Sequence, residues 1–270
     1  MCIAAWVWQA HPLYPLLLVL NRDELHDRNR PTKPTEWWGK ECKVLGGRDC
    51  LGGGTWLACT KDGRLAFLTN VLEPDPLPTA KTRGDLTLRF LEGGKSPWEF
   101  AEEVVEEADR YNGFNLIVAD LCSKTMVYIS NRPKGRPCSV QEVSPGLHVL
   151  SNARLDSPWH KALRLGRNFK DQLRKYGEVE VPAKELTEKL MGDTLKANRE
   201  MLPNTGCDPE WELKLSSIFV DVDTKMGRYG TRSTAMLSLK VGGEVSFYER
   251  YIANGIWKDH TVDFQIEKMK

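Results

Sequence analysis

The sequence has no apolar stretch approaching the roughly 20 residues that a bilayer-spanning helix needs; Leu16 to Leu20, preceded by Pro12 and Pro15, falls far short. Net charge is almost absent: 38 Lys and Arg against 37 Asp and Glu leave +1, too little to hold a nucleic acid or an anionic membrane surface through a global field. There is no Asn-x-Ser/Thr site, no internal repeat and no low-complexity linker, and the start lacks the positive residues and cleavage site of a signal peptide. The seven cysteines (Cys2, Cys42, Cys50, Cys59, Cys122, Cys138, Cys207) are odd in number and scattered, which predicts thiols kept in a reducing compartment. Cys42, Cys50 and Cys59 lack the spacing and nearby histidine of a zinc knuckle. Gly52-Gly53-Gly54 lacks the Gly-Lys-Ser/Thr of a phosphate loop, so a close backbone approach or a turn is the better reading.

What is present is a globular balance: 270 residues, 41% hydrophobic and 28% charged. That is enough to build a core of its own, and residues 1–270 read as a single domain. Cys2 to Trp8 and Leu16 to Leu20 predict a hairpin joined by the turn His11 to Pro15. A polar loop is expected through Asn29 to Lys43, then strands Thr55 to Thr60 and Leu65 to Thr69 around the turn dipeptide Asp62-Gly63. Pro74, Pro76 and Pro78 interrupt regular structure before a helix from about Asp85 to Leu91. Ser96-Pro97-Trp98-Glu99 is a capping box opening a second helix. Strands follow at Leu116 to Ala119, Met126 to Ile129 and Leu147 to Leu150, with a solvated turn at Asn131 to Arg136. Helices are expected from Ser157-Pro158 to about Leu173 and within Leu186 to Met201. Strands return at Ser217 to Val222, Ala235 to Leu239 and Val245 to Tyr251, the last pair turning at Gly242-Gly243. Strands, helices and strands again predict an α+β sandwich of sheets and helices.

Cys2 follows Met1, and a small second residue is the kind behind which an initiator Met is clipped. The freed α-amine, titrating at about 7.7–8.0, would then take the proton of its own thiol. The competing reading is a buried small hydrophobe on the first strand. Asn21-Arg22-Asp23-Glu24 leaves the second strand as either a solvated turn or a site. If Cys2 is a nucleophile, Asp23 would fix its ammonium and thiol, and Arg22 would favour thiolate. Trp6, Trp8, Trp37, Trp38 and Trp56 read mainly as core packing, although a flat apolar ligand would also use such walls.

Seven blocks in order carry a resemblance: Met1-Cys2, Asn21-Arg22-Asp23-Glu24, Gly53-Gly54-Thr55-Trp56-Leu57, Leu68-Thr69-Asn70, Tyr111-Asn112-Gly113-Phe114-Asn115-Leu116, Leu150-Ser151-Asn152-Ala153 and Tyr229-Gly230-Thr231-Arg232. Together they resemble the NRDE family, also called the transport and Golgi organisation protein 2 family. The resemblance implies an αββα sandwich of the N-terminal-nucleophile hydrolase type. By likeness to the related cysteine amidases, it implies a site of Cys2, Arg22, Asp23, Asn70, Asn152 and Arg232. In those amidases the Arg and Asp are separated by two residues, whereas here Arg22 and Asp23 are adjacent.

The function implied by the resemblance is trafficking or homeostasis: haem or acyl-lipid handling, Golgi organisation and secretion. The alternative is a cysteine hydrolase of a C–N amide or acyl thioester. No cofactor is required, with haem as a transported ligand in one version. The partner is a small molecule (haem, acyl-CoA or an acyl amide), and the place is the cytoplasm, with mitochondrial or Golgi association. For haem, Cys2 or one of His11, His26, His148, His160 and His260 would be the axial ligand, without the covalent Cys-x-x-Cys-His attachment.

Overall fold

The β-branched, aromatic start of the chain forms the expected hairpin: β1 (Cys2–Trp8) and β2 (Leu16–Leu25) pair antiparallel, Trp8 opposite Leu16. The computed structural model describes residues 2–26 and 32–267. Next come β3 (Thr32–Trp38), β4 (Val44–Asp49), β5 (Leu57–Thr60) and β6 (Arg64–Asn70), then helices α1 (Gly84–Glu92) and α2 (Pro97–Glu106). Strands β7 (Phe114–Asp120), β8 (Thr125–Ser130), β9 (Ser139–Glu142) and β10 (Gly146–Leu150) precede helices α3 (His160–Tyr176), α4 (Ala183–Met191) and α5 (Pro209–Lys214). The chain closes with β11 (Asp221–Thr224), β12 (Gly227–Leu239), β13 (Glu244–Ala253) and β14 (Ile256–Gln265).

Several local signals act as the sequence predicts. Ser96 Oγ accepts from the Glu99 N–H at 3.3 Å while Glu99 Oε2 accepts from the Ser96 N–H at 2.8 Å, closing the capping box of α2. Gly63 takes φ +93° in the β5–β6 turn. Gly54 is a site of close backbone approach: a Cβ there would lie 2.2 Å from the Gly84 carbonyl carbon.

Several expectations need correction. The second strand, expected over Leu16 to Leu20 with Asn21-Arg22-Asp23-Glu24 leaving it, continues through Leu25, because β12 pairs with it along that whole length. The polar loop through Asn29 to Lys43 contains β3, with residues 29–31 outside those described. Thr55 to Thr60 becomes a strand only from Leu57, because Thr55 Oγ1 caps the turn by donating to the Leu57 carbonyl. Ser217 to Val222 is mostly an irregular segment, and β11 starts at Asp221. The helix expected from Ser157-Pro158 starts at His160, since Trp159 is still extended (ψ 146°).

The chain divides into two compact units. One holds Met1–Asp27, Leu72–Pro74 and Pro145–Asp263; the other holds Arg28–Val71, Asp75–Ser144 and Phe264–Lys270. The first is built on a sheet in the order β10-β1-β2-β12-β13-β14, with β11 paired to β12. Its residues Ile3, Ala5, Leu17, Val19 and Met236 pack with Leu165, Phe169, Leu186 and Leu190 of α3 and α4. The second is built on the meander β3-β4-β5-β6-β7-β8-β9, whose Ala66, Leu68, Leu116, Val118 and Ile129 pack with Phe90 and Phe100 of α1 and α2. Each unit is thus a sheet with helices on one face, an α+β organisation. The alternate residues Trp6, Leu18 and Leu20 in one sheet, and Phe67 and Ile117 in the other, are buried as well, which is why these strands read as continuous apolar runs.

Candidate active site

Four adjacent strands of the first unit bring polar side chains to one end. Cys2 opens β1 and pairs with Arg22 of β2; Asp23 pairs with Thr231 of β12. On the other side of β1, Ala4 pairs with Leu150, so Ser151 and Asn152 run on beside the start of the strand. The register of β12 shifts between Thr231 and Ser233, leaving Arg232 as the extra residue of a bulge. Gly230 allows the preceding chain to pass: a Cβ there would lie 2.1 Å from the Val220 carbonyl oxygen. That carbonyl accepts from the Thr231 N–H at 2.8 Å.

The NRDE tetrad divides its labour. Asn21, fully buried, donates through Nδ2 to the carbonyls of Met191 (2.8 Å) and Ile218 (3.0 Å) and accepts from Thr234 Oγ1 at 2.7 Å. It is a brace. Asp23 accepts from Thr231 Oγ1 at 2.7 Å, and burial pushes its carboxyl up to about 6 although Lys161, Thr231 and Arg22 all pull it down. Arg22 is 6% exposed, Glu24 half-buried with Oε1 accepting from the Leu25 N–H at 2.9 Å.

Cys2 is a free thiol, 6% exposed. Burial pushes the thiol up, and the Asp23 carboxylate pushes the same way; the Asp23 backbone N–H, hydrogen-bonded to the sulfur, and the Arg22 guanidinium pull it down. At neutral pH the sulfur therefore carries its proton and needs a base to become a nucleophile. Met1 lies outside the described residues.

Asn152 is 1% exposed, and its amide oxygen accepts from Ser151 Oγ at 2.9 Å and from Lys161 Nζ at 3.3 Å. Ser151 Oγ also lies 3.4 Å from the Cys2 carbonyl oxygen, its one proton serving one acceptor at a time. With the oxygen so engaged, the amide NH₂ becomes the donor end of Asn152, the chemistry an oxyanion requires. Arg232, half-buried, donates from Nη1 to the Leu25 carbonyl at 3.0 Å. Asn70 ends β6 in the second unit, opposite Phe114 of β7.

Lys161 is the member that sequence reasoning missed. It is 3% exposed, its Nζ donates to the Leu215 carbonyl at 2.9 Å as well as to Asn152, and burial lowers it to about 8 against the opposing pull of Asp23 and Cys2. One signal was available. His160 and Lys161 put two basic side chains and no acid in the first turn of α3, where the helix dipole disfavours cations. A rule broken locally marks a residue held there by something else.

A thiol, a carboxyl titrating near neutrality and a partly neutralised ammonium around one strand end define a candidate centre for acyl chemistry at cysteine, on an α+β frame. The family model for Transport and Golgi organisation 2 matches residues 1–254, and the chain belongs to that family. The mouse protein named Transport and Golgi organization 2 homolog is 31% identical, the alignment covering 99% of this chain and all of the relative; the human homolog gives the same figures. Among solved structures, the R18L variant of conjugated bile acid hydrolase from Clostridium perfringens is 13% identical over 98% of this chain and 97% of its own, with a TM-score of 0.45. The Caenorhabditis elegans ortholog of N-acylethanolamine-hydrolyzing acid amidase is 15% identical over 70% of this chain and 85% of its own, with a TM-score of 0.39. No helix among the described residues is long and apolar enough to cross a membrane.

Proposed function

We propose that the protein serves intracellular trafficking and lipid homeostasis by handling small acyl-bearing ligands, an acyl thioester or an acyl amide, and that it engages them at Cys2. The observation that supports this is the surround of the Cys2 sulfur: Asp23 hydrogen-bonded to it through its backbone N–H, the Arg22 guanidinium pulling the thiol down, and the Lys161 ammonium near enough to be held charged by the cysteine. A purely structural cysteine needs none of these.

The chemistry follows from the groups present. With Met1 removed, the Cys2 amine takes the thiol proton and the sulfur attacks the acyl carbon; the C–S bond forms as the carbonyl π electrons move to oxygen. The Asn152 NH₂ is the donor suited to that oxyanion, with Asp23 holding the ammonium and Arg22 adding positive potential. Collapse returns the electrons, breaks the bond to the amine or thiol leaving group, and hands that group the proton. Water then cleaves the acyl-cysteine thioester, releasing the acid. Cytoplasmic residence with Golgi or mitochondrial association accompanies this reading.

The test has two steps. Intact mass establishes whether Met1 is removed, and an activated acyl amide and acyl thioester are then offered to the processed protein. A stoichiometric adduct that Cys2→Ala abolishes supports the reading; no adduct from either compound on protein with a free Cys2 amine overturns it.

One observation favours a second reading, non-covalent haem transport. His160 Nδ1 is buried without a hydrogen-bond partner and its residue lines a cavity, whereas His148 is held by Asp156 at 2.8 Å and His11 Nδ1 accepts two backbone N–H groups. Haem titration followed by its visible spectrum decides: a band shift lost in His160→Ala favours transport, and identical spectra remove it.

A further inference from the structure

Lys161 enters the site from the first turn of α3, the end of a helix where a cation is disfavoured, and is 3% exposed. Two oxygens hold it there. Nζ donates to the Leu215 carbonyl at 2.9 Å, at the C-terminal end of α5 where carbonyls lack helical partners, and to Asn152 Oδ1 at 3.3 Å. The Asn152 backbone is fixed, its carbonyl accepting from the Leu72 N–H at 2.9 Å, so the remaining choice is which way its carboxamide faces. The two donors to Oδ1 differ on that point. Ser151 Oγ, 2.9 Å away, both donates and accepts; it would serve the NH₂ end of a flipped amide equally well, its own proton passing to the Cys2 carbonyl oxygen 3.4 Å away. An ammonium only donates. Opposite Lys161 Nζ, a flipped amide would set N–H against N–H, two buried donors with no acceptor between them.

We infer that Lys161 is the positioning residue of this site: by admitting only the oxygen of the Asn152 carboxamide, it fixes the NH₂ end as the donor presented to a developing oxyanion. The inference deepens the acyl reading of Cys2, on which it rests for the oxyanion, while the orientation of the amide is measurable without any reaction. Lys161 acts through Asn152 and needs no contact with the acyl group. Its charge also reaches Asp23, whose carboxyl it pulls down, so removing the lysine has two routes to the reaction, one through the amide and one through the carboxylate. They are separable, because only the first requires Asn152 to be present.

The test treats Cys2 of the chain, Met1 removed, with two reagents: an activated acyl amide, whose attack builds an oxyanion, and iodoacetamide, which the sulfur alkylates by displacing iodide without one. Asn152→Ala lowers acylation about a hundred- to thousandfold, the effect of losing one oxyanion donor. Lys161→Met lowers it about ten- to hundredfold, the effect of losing one hydrogen bond from a charged donor, and leaves alkylation within about threefold of the wild type. The double variant is acylated no more slowly than Asn152→Ala alone, since the lysine acts through that amide. In amide-proton NMR spectra the Asn152 side-chain pair, identified by its loss in Asn152→Ala, shifts and exchanges faster with water in Lys161→Met. Should Lys161→Met not fold, Lys161→Gln takes its place; its amide can still donate, and the same selective loss is smaller. Equal losses of acylation and alkylation, a further loss in the double variant, or an Asn152 signal untouched by the lysine change overturns the inference. A signal that responds in a chain whose Cys2 alkylates and never acylates keeps the positioning role and removes the acyl chemistry.

Discussion

Two buried cysteines stand in the two units and behave differently. Cys59, on β5 of the second unit, is 1% exposed and burial alone drives its thiol far above the ordinary range. Cys2 is buried almost as deeply, yet Asp23, its backbone N–H and Arg22 all act on the sulfur. The same contrast holds for buried cations. Arg64 in the second unit is tied down by structural work, donating to the Phe90 carbonyl at 2.9 Å and the Lys95 carbonyl at 2.7 Å with its guanidinium 3.9 Å from the Phe90 ring centroid. Lys161 in the first unit keeps a proton in hand beside a thiol and a carboxyl. Burial by itself therefore says little about function. What separates site from core is whether the buried group faces other groups whose charge changes near neutral pH.

The cysteine pair gives the largest expected effect. Cys2→Ala lowers labelling by an activated acyl compound at least about a thousandfold, as loss of a nucleophile does. Cys59→Ala leaves labelling at the wild-type rate and costs about 1 kcal/mol of stability through the small cavity it opens. Labelling kinetics and denaturant titration of the two variants check both halves. Equal labelling loss in the two would erase the distinction between site and core thiol.

A second contrast lies inside the tetrad. Asn21→Ala removes a side chain that meets three buried partners and leaves two carbonyls and the Thr234 hydroxyl unsatisfied, a cost of about 2–4 kcal/mol. The variant is expected to unfold at lower denaturant while its surviving folded fraction still labels at Cys2. Normal stability with lost labelling would move Asn21 from brace to site.

The sequence pattern made the inner strands legible and the sheet margins obscure, for a physical reason. Strands β1, β2, β6, β7, β8 and β13 are apolar on both faces or alternate cleanly, and were readable. The overlooked β3, β9 and β14 are all edge strands. Pro34 and a register shift near it sit in β3, and β14 is largely exposed, so neither carries the apolar signature that periodicity detects. Strand β4 is internal but has Gly46 and Gly47, where a Cβ would collide with Ala58 and Trp56. At the site, Cys2 and Asn152 were findable because they sit at or just past a strand end in a recognisable block, and Arg22 and Asp23 because their block interrupts the apolar pattern of β2. Lys161 was not, since it reaches Asn152 and Leu215 from a helix start that reads as solvated surface.

The smallest effect sharpens the comparison most, because it isolates the charge of the site. Asp23 titrates at about 6 in the fold against about 3.9 in an unfolded chain, so the folded state holds this proton more tightly. Its contribution to stability is full below about pH 4 and is lost as pH rises through about 6, since ionisation then costs more folded than unfolded. Asp23→Asn keeps an oxygen for the Thr231 hydroxyl and removes the ionisation. Relative to wild type the variant should therefore gain about 1–2 kcal/mol between about pH 5 and about pH 7.5. Lys161, at about 8, stays mostly charged across that window, so its own titration is the smaller part of the difference. Denaturant titrations of both proteins at the two pH values measure it. A stability difference that does not change with pH would mean that Asp23 is ionised as readily in the fold as out of it, and the contrast with the uncharged surroundings of Cys59 would lose its electrostatic basis.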